Sequence, residues 1–338
     1  MLSNVYRTTM TVLATFCLIL LVLLLKRIDF LYSFFTVEHL QSFKTIFISL
    51  ILEALPFILL GVIISSLLQS FVPETAIRRF IPRNPVLGIL FACLLGLLFP
   101  MCECGMIPIV RRLIQKGMPV YIAVVFIVAG PILNPIVFAA TLMAFRNQPS
   151  IAYSRMGLAL IVTMIIGLIL YRFVRHNPLR SAQGHSFHHH HHNHDHDHDH
   201  HGGISSKVTT FFAHTSNEFF DMGKYLIFGA LLTALIQVFM QRDNLLAIGQ
   251  GPLSSHIFMM GFAYILSICS TSDAFVASSF QTSFTSGSLL TFLVFGPMLD
   301  FKSTLMLLSV FKTKFVLLLA LLIACTVLIC SLLWEFIM

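Results

Sequence analysis

Charged side chains are scarce in this sequence. Asp, Glu, Lys and Arg make up 10% of its 338 residues, 57% are hydrophobic, and the mean hydropathy is +0.89, whereas soluble domains carry roughly 25% charged residues. Segments 10–25 and 157–171 contain no charged residue, and in lipid such segments must be helical. The composition therefore excludes an ordinary soluble domain. It predicts an all-α, polytopic helical bundle that passes through the cell membrane several times.

Several functional signatures are also missing. There is no phosphate-binding P-loop, so any driving force must come from an ion gradient or a partner. No nucleophile–base pair or catalytic metal set with fixed spacing occurs, so the chain is not expected to be an enzyme. The net charge of +7 is spread over short loops, which suits lipid headgroups rather than nucleic acid. The first apolar segment runs into Lys26-Arg27, so no cleaved signal is expected.

Three landmarks occur twice in the same order. They are an acid, a cysteine and a Gly-Pro pair, at Glu53, Cys102 and Gly130-Pro131 and again at Asp221, Cys269 and Gly296-Pro297. The spacing from acid to cysteine is 49 and 48 residues, and from cysteine to glycine it is 28 and 27. Duplicated spans with helix-breaking residues at matching depth are typical of secondary transporters.

The repeat predicts the organisation of the chain. An N-terminal helix and loop would occupy 1–42, a first repeat 43–174, a disordered His-rich linker 175–208 and a second repeat 209–338. Membrane helices are expected at 9–26, at 43–69, 86–101, 118–145 and 153–174, and at 211–240, 255–269, 288–311 and 313–334. The segments 86–100 and 255–269 are each about 22 Å as helix, shorter than a bilayer core of about 30 Å. Both are therefore predicted to be half-helices that end at the cysteines.

The segments that follow these half-helices, 105–116 and 274–286, either cross the membrane or dip back. A dip is favoured and would give four spans in each repeat, with parallel repeats. A crossing would give five spans and inverted repeats. The Lys and Arg balance of the loops leaves the orientation open.

Acids and cysteines inside apolar segments are the first candidate site residues. Glu53 lies within such a segment, where a carboxylate costs a few kcal/mol, and Asp221 is its counterpart. A role in charge compensation or proton relay is favoured over an interfacial acid paired with Lys or Arg. Cys102 and Cys104 can present two sulfurs to one soft metal or metalloid, and a helix starting beside them favours thiolates. In the second repeat, Cys269 and the following residues to Asp273 would supply mainly oxygen ligands.

Polar residues beside the two Gly-Pro breaks are the second group of candidates. Asn134 and Asp300 occupy the same place after the breaks, where unwound backbone forms ion or proton sites. The alternative is that each is simply a helix cap. Lys302 is the expected ion-pair partner of Asp300, or a charge that replaces a cation in the empty carrier.

Histidines dominate the linker between the repeats. The candidate ligands are His188, His189, His190, His191, His192, His194, His196, His198, His200 and His201. Neutral imidazoles bind zinc and other transition metals, and the interleaved aspartates add oxygen ligands. The composition predicts a metal-buffering or sensing loop that is disordered without metal. An expression tag is less favoured because the run is internal and alternates with Asp. No other cofactor is expected.

The motifs of both halves resemble a family of predicted permeases. The resemblance rests on Met101-Cys102-Glu103-Cys104-Gly105 and Gly130-Pro131-Ile132-Leu133-Asn134-Pro135, and on Cys269-Ser270-Thr271-Ser272-Asp273 and Gly296-Pro297-Met298-Leu299-Asp300. It covers roughly 43–334 and implies a cytoplasmic-membrane permease, in some members one that exports organoarsenicals. Glu103, where a small residue is more usual, and the His-rich linker depart from the pattern and favour a divalent transition metal or its complex.

The sequence therefore predicts a secondary carrier for a soft metal ion, a metalloid or a metal complex. Organoarsenical efflux remains an alternative. Another is a membrane subunit of a larger metal-handling complex without carriage of its own. The expected partners are membrane lipids, the cargo and a second membrane or extracytoplasmic subunit, with no nucleic acid.

Overall fold

The structure is a computed structural model that describes 37–71, 84–99, 101–174, 178–179, 204–239 and 251–337, with isolated positions between 73 and 82. The predicted helix at 9–26 and the histidines of the linker lie outside the described residues. The chain divides into two compact units, Met1–Ser49 and Leu50–Met338. The second unit contains every candidate site residue that the structure describes.

The described residues fold into helices. Those of the first half are α1 Val37–Phe71, α2 Pro85–Leu98, α3 Glu103–Gln115, α4 Val120–Ala129, α5 Pro135–Ala144 and α6 Ser150–Phe173. Those of the second half are α7 Ile204–Phe239, α8 Pro252–Leu266, α9 Asp273–Ser278, α10 Ser286–Met298, α11 Phe301–Val310 and α12 Thr313–Ile337. Proline opens α2, α5 and α8, where its fixed φ suits the first helical position and no backbone donor is lost.

Within the described ranges, five stretches are long and apolar enough to cross a membrane. They are His39–Gln69, Ser150–Phe173, Thr215–Val238, Ser286–Val310 and Thr313–Ile337. Large apolar side chains such as Leu94, Ile161 and Leu321 are more than half exposed on outer faces, as a lipid environment requires. The prediction of an all-α, multi-pass membrane protein is confirmed.

Helices α2 and α3 form a hairpin that returns to its starting side. Helix α2 runs parallel to α4, since Gly88 contacts Ile122 and a Cβ on Gly96 would lie 2.8 Å from the Cα of Gly130. The connection between α3 and α4 is only residues 116–119, and the two helices are in contact. They must therefore be antiparallel, so α3 runs back beside α2.

The second half contains a matching hairpin. Helix α8 runs parallel to α10, because His256 Nδ1 lies 2.7 Å from Thr291 Oγ1 and Gly296 lies beside Ala263. The chain after α9 then runs back along α8, where the rings of Phe262 and Phe280 are 5.6 Å apart. The second limb of each hairpin thus runs back, in agreement with the dips favoured above, and we propose that neither limb of either hairpin crosses the membrane. This topology has fewer spans in each half than the four expected with dips.

The two hairpins enter from opposite sides. We call the side of residues 116–119 the first side and the side of residues 145–149 the second side. Helix α6 is antiparallel to α2, with Cys93 3.8 Å from Thr163, so it ends on the first side. There the backbone of Pro178 accepts from Lys312 N at 3.0 Å, just after α11. Helices α10 and α8 therefore begin on the second side. With three crossings per half, we propose that the predicted repeats are inverted.

The broken helices differ in where they break. Helix α4 ends at Ala129, with Gly130 as its C-cap, as predicted. Helix α10 instead continues through Gly296 and Pro297 to Met298, and the chain becomes extended at Leu299, with φ −156° and ψ 113°. Proline disturbs the turn that precedes it, yet the helix continues past Pro297, so the second break lies at residues 299–300, not at the Gly-Pro pair.

Candidate functional site

The first hairpin meets the second broken helix at their N-terminal ends. Helices α3 and α11 are in contact, with Cys102 as the N-cap of α3 and Asp300 as the N-cap of α11. The tip of the other hairpin also reaches this point, because Lys302 N donates to Ser267 Oγ at 3.3 Å. Ser267 has φ 47°, a left-handed conformation that non-glycine residues adopt only under constraint. Both halves therefore contribute to one junction.

The two thiols of the first hairpin face each other. Cys102 has an extended backbone, with φ −73° and ψ 163°, and Cys104 lies in the first turn of α3. Their side chains interact. Cys104 is buried and Cys102 is partly exposed. Sulfur is a soft ligand, so this turn can offer two soft donors.

Three charged side chains are buried around the thiols. Glu103, Asp300 and Lys302 are 4%, 1% and 4% exposed, and Glu103 interacts electrostatically with both other residues. Asp300 Oδ1 accepts from Ser303 N at 2.5 Å, but Asp300 Oδ2 and Glu103 Oε2 are buried without a hydrogen-bond partner. Such unpaired oxygens are costly. We call these three residues with Cys102 and Cys104 the central cluster.

The central cluster is not a ready-made metal centre. In the part of the chain that the structure describes, no three His, Cys, Asp or Glu side chains are placed to hold one ion. Lys302 instead interacts with both carboxylates and both thiols. Its ammonium therefore interacts with the same carboxylates and thiols that would attract a cationic ligand.

The cysteine of the second hairpin meets the acid of α1. Cys269 Sγ lies 3.0 Å from Thr271 Oγ1, and the thiol also interacts electrostatically with Glu53. Glu53 is partly buried. The structure thus brings together Glu53 and Cys269, which the sequence analysis assigned to different halves.

Asp273 of the second hairpin is held by an arginine of the first half. Arg155 of α6 donates to Asp273 Oδ2 at 2.6 Å, and also to the Ser270 backbone oxygen and Thr141 Oγ1. The side chains of Arg155 and Asp273 are 0% and 3% exposed. Asp273 therefore lies in a buried ion pair rather than beside the thiols.

Asp221 does not share the environment of Glu53. Its side chain is 62% exposed and lies 2.7 Å from Lys224, which is the interfacial arrangement given above as the alternative. The buried acid of α7 is Glu218, which accepts from Ser65 Oγ at 3.1 Å and lies 3.4 Å from Arg112. Asn134 is a helix cap, and its Oδ1 accepts from Ile136 N at 2.9 Å.

Sequence reasoning missed Glu103, Glu218, Arg112 and Arg155 as site residues. Arg155 was detectable, because it is a single charge near the start of an apolar span. Glu103 was noted only as a departure from a family pattern. The partners of Glu218 and Arg112 depend on how α3 and α7 pack, which spacing along the chain does not reveal.

The chain is similar to several membrane proteins. Residues 39–336 match the model of a family described as predicted permease, ArsP_1. UPF0718 protein YcgR of Bacillus subtilis (strain 168) is 48% identical over 292 residues, covering 86% of this chain and 96% of that protein. UPF0718 protein YraQ of Escherichia coli (strain K12) is 29% identical over 125 residues, covering 36% and 35%. No solved structure matches the chain.

The name of a further relative refers to a protein complex. A Streptococcus mutans protein, named putative two-component membrane permease complex subunit, is 38% identical over 273 residues that cover 80% of this chain and 88% of that protein. The family model extends over most of the described helices and includes both hairpins, and the Bacillus subtilis and Streptococcus mutans relatives align with 86% and 80% of the chain. By its membrane helices and by this similarity, the chain belongs to the predicted permease family.

Proposed function

We propose that this permease is a secondary carrier for a soft metal ion, a metalloid or a metal complex. The observation that carries the proposal is the meeting of two thiols with two unpaired carboxylate oxygens at the central cluster. Sulfur ligands select thiophilic cargo, and carboxylates neutralise its charge. Helix ends and interrupted helices at membrane depth are the usual parts of a carrier site.

Lys302 supports a carrier rather than a fixed metal centre. A permanently bound cation would leave no need for a buried ammonium between Glu103 and Asp300. In the empty state the ammonium balances the carboxylates, and an incoming cation displaces it. Binding therefore exchanges one positive charge for another. Because the ammonium balances the carboxylates, burying the empty site costs less free energy than burying unpaired carboxylates would.

The second hairpin would supply the less selective part of the pathway. Cys269 with Glu53 and Asp273 with Arg155 are joined through one short turn at residues 269–273. Oxygen donors dominate this turn. Glu53 is suited to charge compensation or proton exchange, because it is only partly buried and its partner is a neutral thiol. The His-rich linker would buffer zinc-class ions near the pathway.

A strain that lacks the gene tests the carrier and its cargo. Cells expressing the parent, Cys102→Ser/Cys104→Ser, or the matched control Cys325→Ser/Cys330→Ser would be grown on a panel of metals and organoarsenicals. Cellular metal and arsenic would then be measured. The parent and the control should alter survival and content for the same thiophilic substrate, and the double serine variant should lose that effect. Equal behaviour of all three would contradict sulfur selection of cargo.

The second candidate is a membrane subunit of a larger metal-handling complex. It is favoured by the name of the Streptococcus mutans relative, which refers to a two-component membrane permease complex. Mild purification of the full chain from its native membrane separates the two candidates, because a required subunit would co-purify in fixed ratio. Carriage by the purified chain alone in proteoliposomes would argue against this candidate.

A further inference from the structure

A second buried polar cluster lies in the second half, towards the second side. His256 of α8 is fully buried, and its Nε2 lies 2.5 Å from Glu335 Oε2 of α12. Its Nδ1 lies 2.7 Å from Thr291 Oγ1 of α10 and 3.2 Å from Ser331 Oγ of α12. One histidine therefore joins three membrane helices through polar contacts.

The corresponding helices of the first half, α2, α4 and α6, contain no histidine and no carboxylate. They also lie against one another, and a Cβ on Gly167 would lie 2.8 Å from the side chains of Ile89 and Val125. Packing three helices in this arrangement therefore does not require a histidine. An ionisable side chain within membrane helices costs at least a few kcal/mol and marks functional sites.

The hydroxyl partners allow His256 to exist in two protonation states. A hydroxyl both donates and accepts, so Thr291 and Ser331 can donate to Nδ1 of a neutral ring. When a proton adds to the ring, both nitrogens donate, one to a hydroxyl oxygen and one to the Glu335 carboxylate. Neither state leaves a buried ring nitrogen unpaired, so proton exchange needs no rearrangement of the helices.

Other charged side chains that the structure describes on the surrounding helices face elsewhere, including Lys314, which is exposed at the opposite end of α12 from Glu335. On α7, Asp221 pairs with Lys224 and Glu218 with Arg112. On α11, Lys302 faces the central cluster. The charged group that contacts His256 is thus Glu335, whose side chain is 31% exposed. This exposure gives the pair a route to protons on the second side.

The pair contacts the helix that leads to the central cluster. Thr291 lies on α10 nine residues before Asp300, a separation of about 13 Å along a helix. Helix α10 is the first limb of the broken helix whose second limb carries Asp300 and Lys302. A change in the charge of His256 therefore acts on the helix that positions half of the central cluster.

We propose that His256 and Glu335 form a proton-binding site, open to the second side through Glu335, whose proton drives the carrier. The proton adds to a neutral imidazole to give an imidazolium beside the carboxylate, and it leaves by the reverse step. The driving role rests on the proposed secondary carriage. The binding of a proton at the pair does not depend on which cargo is carried.

Infrared titration of the purified full chain tests the proton site directly. Difference spectra between about pH 5 and pH 9 bracket the usual range of histidine. Because the chain has 15 histidines, the spectrum of each variant is subtracted from that of the parent. The imidazole and carboxylate signal of one pair should be missing in both His256→Gln and Glu335→Gln and retained in Glu335→Asp. Identical difference spectra for the parent and both Gln variants would overturn the proposal.

Zn²⁺ uptake by proteoliposomes tests the driving role. The rate of Zn²⁺ uptake with an imposed pH gradient is divided, for each variant, by its own rate without a gradient. An imposed pH gradient should accelerate Zn²⁺ uptake by the parent and by the control His39→Gln. This acceleration should be absent in His256→Gln. An internal dye reports the proton flux. Unchanged acceleration in His256→Gln would overturn the driving role. A parent that carries no Zn²⁺ would contradict the proposed function for this ion, while the infrared titration would still decide the proton site.

Discussion

At the scale of single residues, buried charges separate the candidate site from the rest of the bundle. Arg155 with Asp273, and Lys302 with Glu103 and Asp300, lie among apolar side chains with almost no exposure. Asp221 with Lys224 is instead largely exposed. Burial makes removal of one partner expensive, whereas exposed pairs contribute little. Substitution in a buried pair is therefore expected to destabilise the protein strongly, and substitution in the exposed pair only slightly.

Replacing Arg155 by Ala is expected to destabilise the fold by about 3–5 kcal/mol, because Asp273 would stay buried without its partner. Removing both side chains in Arg155→Ala/Asp273→Ala should cost less than the sum of the single changes. Asp221→Asn is the matched control, with an expected loss below about 1 kcal/mol. The free energy of unfolding is measured by chemical denaturation in detergent for Arg155→Ala, Asp273→Ala, the double variant and Asp221→Asn. Additive effects at Arg155 and Asp273 would show that the two residues do not act as a pair.

Replacing Lys302 by Gln should increase the affinity for Cd²⁺ roughly tenfold or more, because the cation no longer competes with a buried ammonium near two carboxylates. Lys302→Arg keeps the charge and should leave the affinity low. Equilibrium dialysis against Cd²⁺, with 185–201 deleted in every variant to remove linker histidines, provides the measurement. Equal affinities for the parent and Lys302→Gln would mean that the ammonium does not stand in for cargo.

At the scale of helices, the structure depends on short segments that turn back inside the membrane. The sequence predicted the two half-helices because 86–100 and 255–269 are too short to span a bilayer. It also placed the first break, because Pro131 and Pro135 both interrupt the helix there. It misplaced the second break. Helix α10 includes both Gly296 and Pro297 and ends at Met298.

The hairpin predicts that both of its outer ends lie on one side of the membrane. Single cysteines at Asn84 and Gln115, in a background without other cysteines, should react with an impermeant maleimide added to the same side. A cysteine at Gln148 should react from the opposite side. Labelling in inside-out and right-side-out vesicles measures this. Reaction of positions 84 and 115 from opposite sides would show that α2 and α3 cross the membrane.

At the scale of the whole molecule, two halves enclose one site while the linker lies outside the described residues. Spacing along the chain predicts a repeat, since landmarks at 49 and 48 residues share a register, and that repeat stays a prediction. It could not predict that Cys102 lies near Lys302 while Cys269 meets Glu53, since those contacts cross between halves. Such pairing depends on how the hairpins pack in three dimensions.

Deleting 185–201 should remove several weakly bound zinc ions and leave basal transport intact, because the linker supplies ligands without a scaffold. Its metal binding should weaken as the pH falls through the usual histidine pKa of about 6.5, since protonated imidazole cannot ligate. Zinc content and uptake are compared for the full chain and the deletion at equal expression. Abolished transport in a well-expressed deletion would place the linker in the pathway itself.

X-ray absorption of Cd²⁺ bound to the purified chain lacking 185–201 is the most direct measurement of the central claim. The spectrum counts the sulfur and oxygen neighbours of the ion. The account predicts two sulfur neighbours in the parent and in Cys325→Ser/Cys330→Ser, and none in Cys102→Ser/Cys104→Ser. A Cd²⁺ ion surrounded only by oxygen or nitrogen in the parent, or unchanged sulfur in the Cys102→Ser/Cys104→Ser variant, would contradict cargo binding at the central cluster.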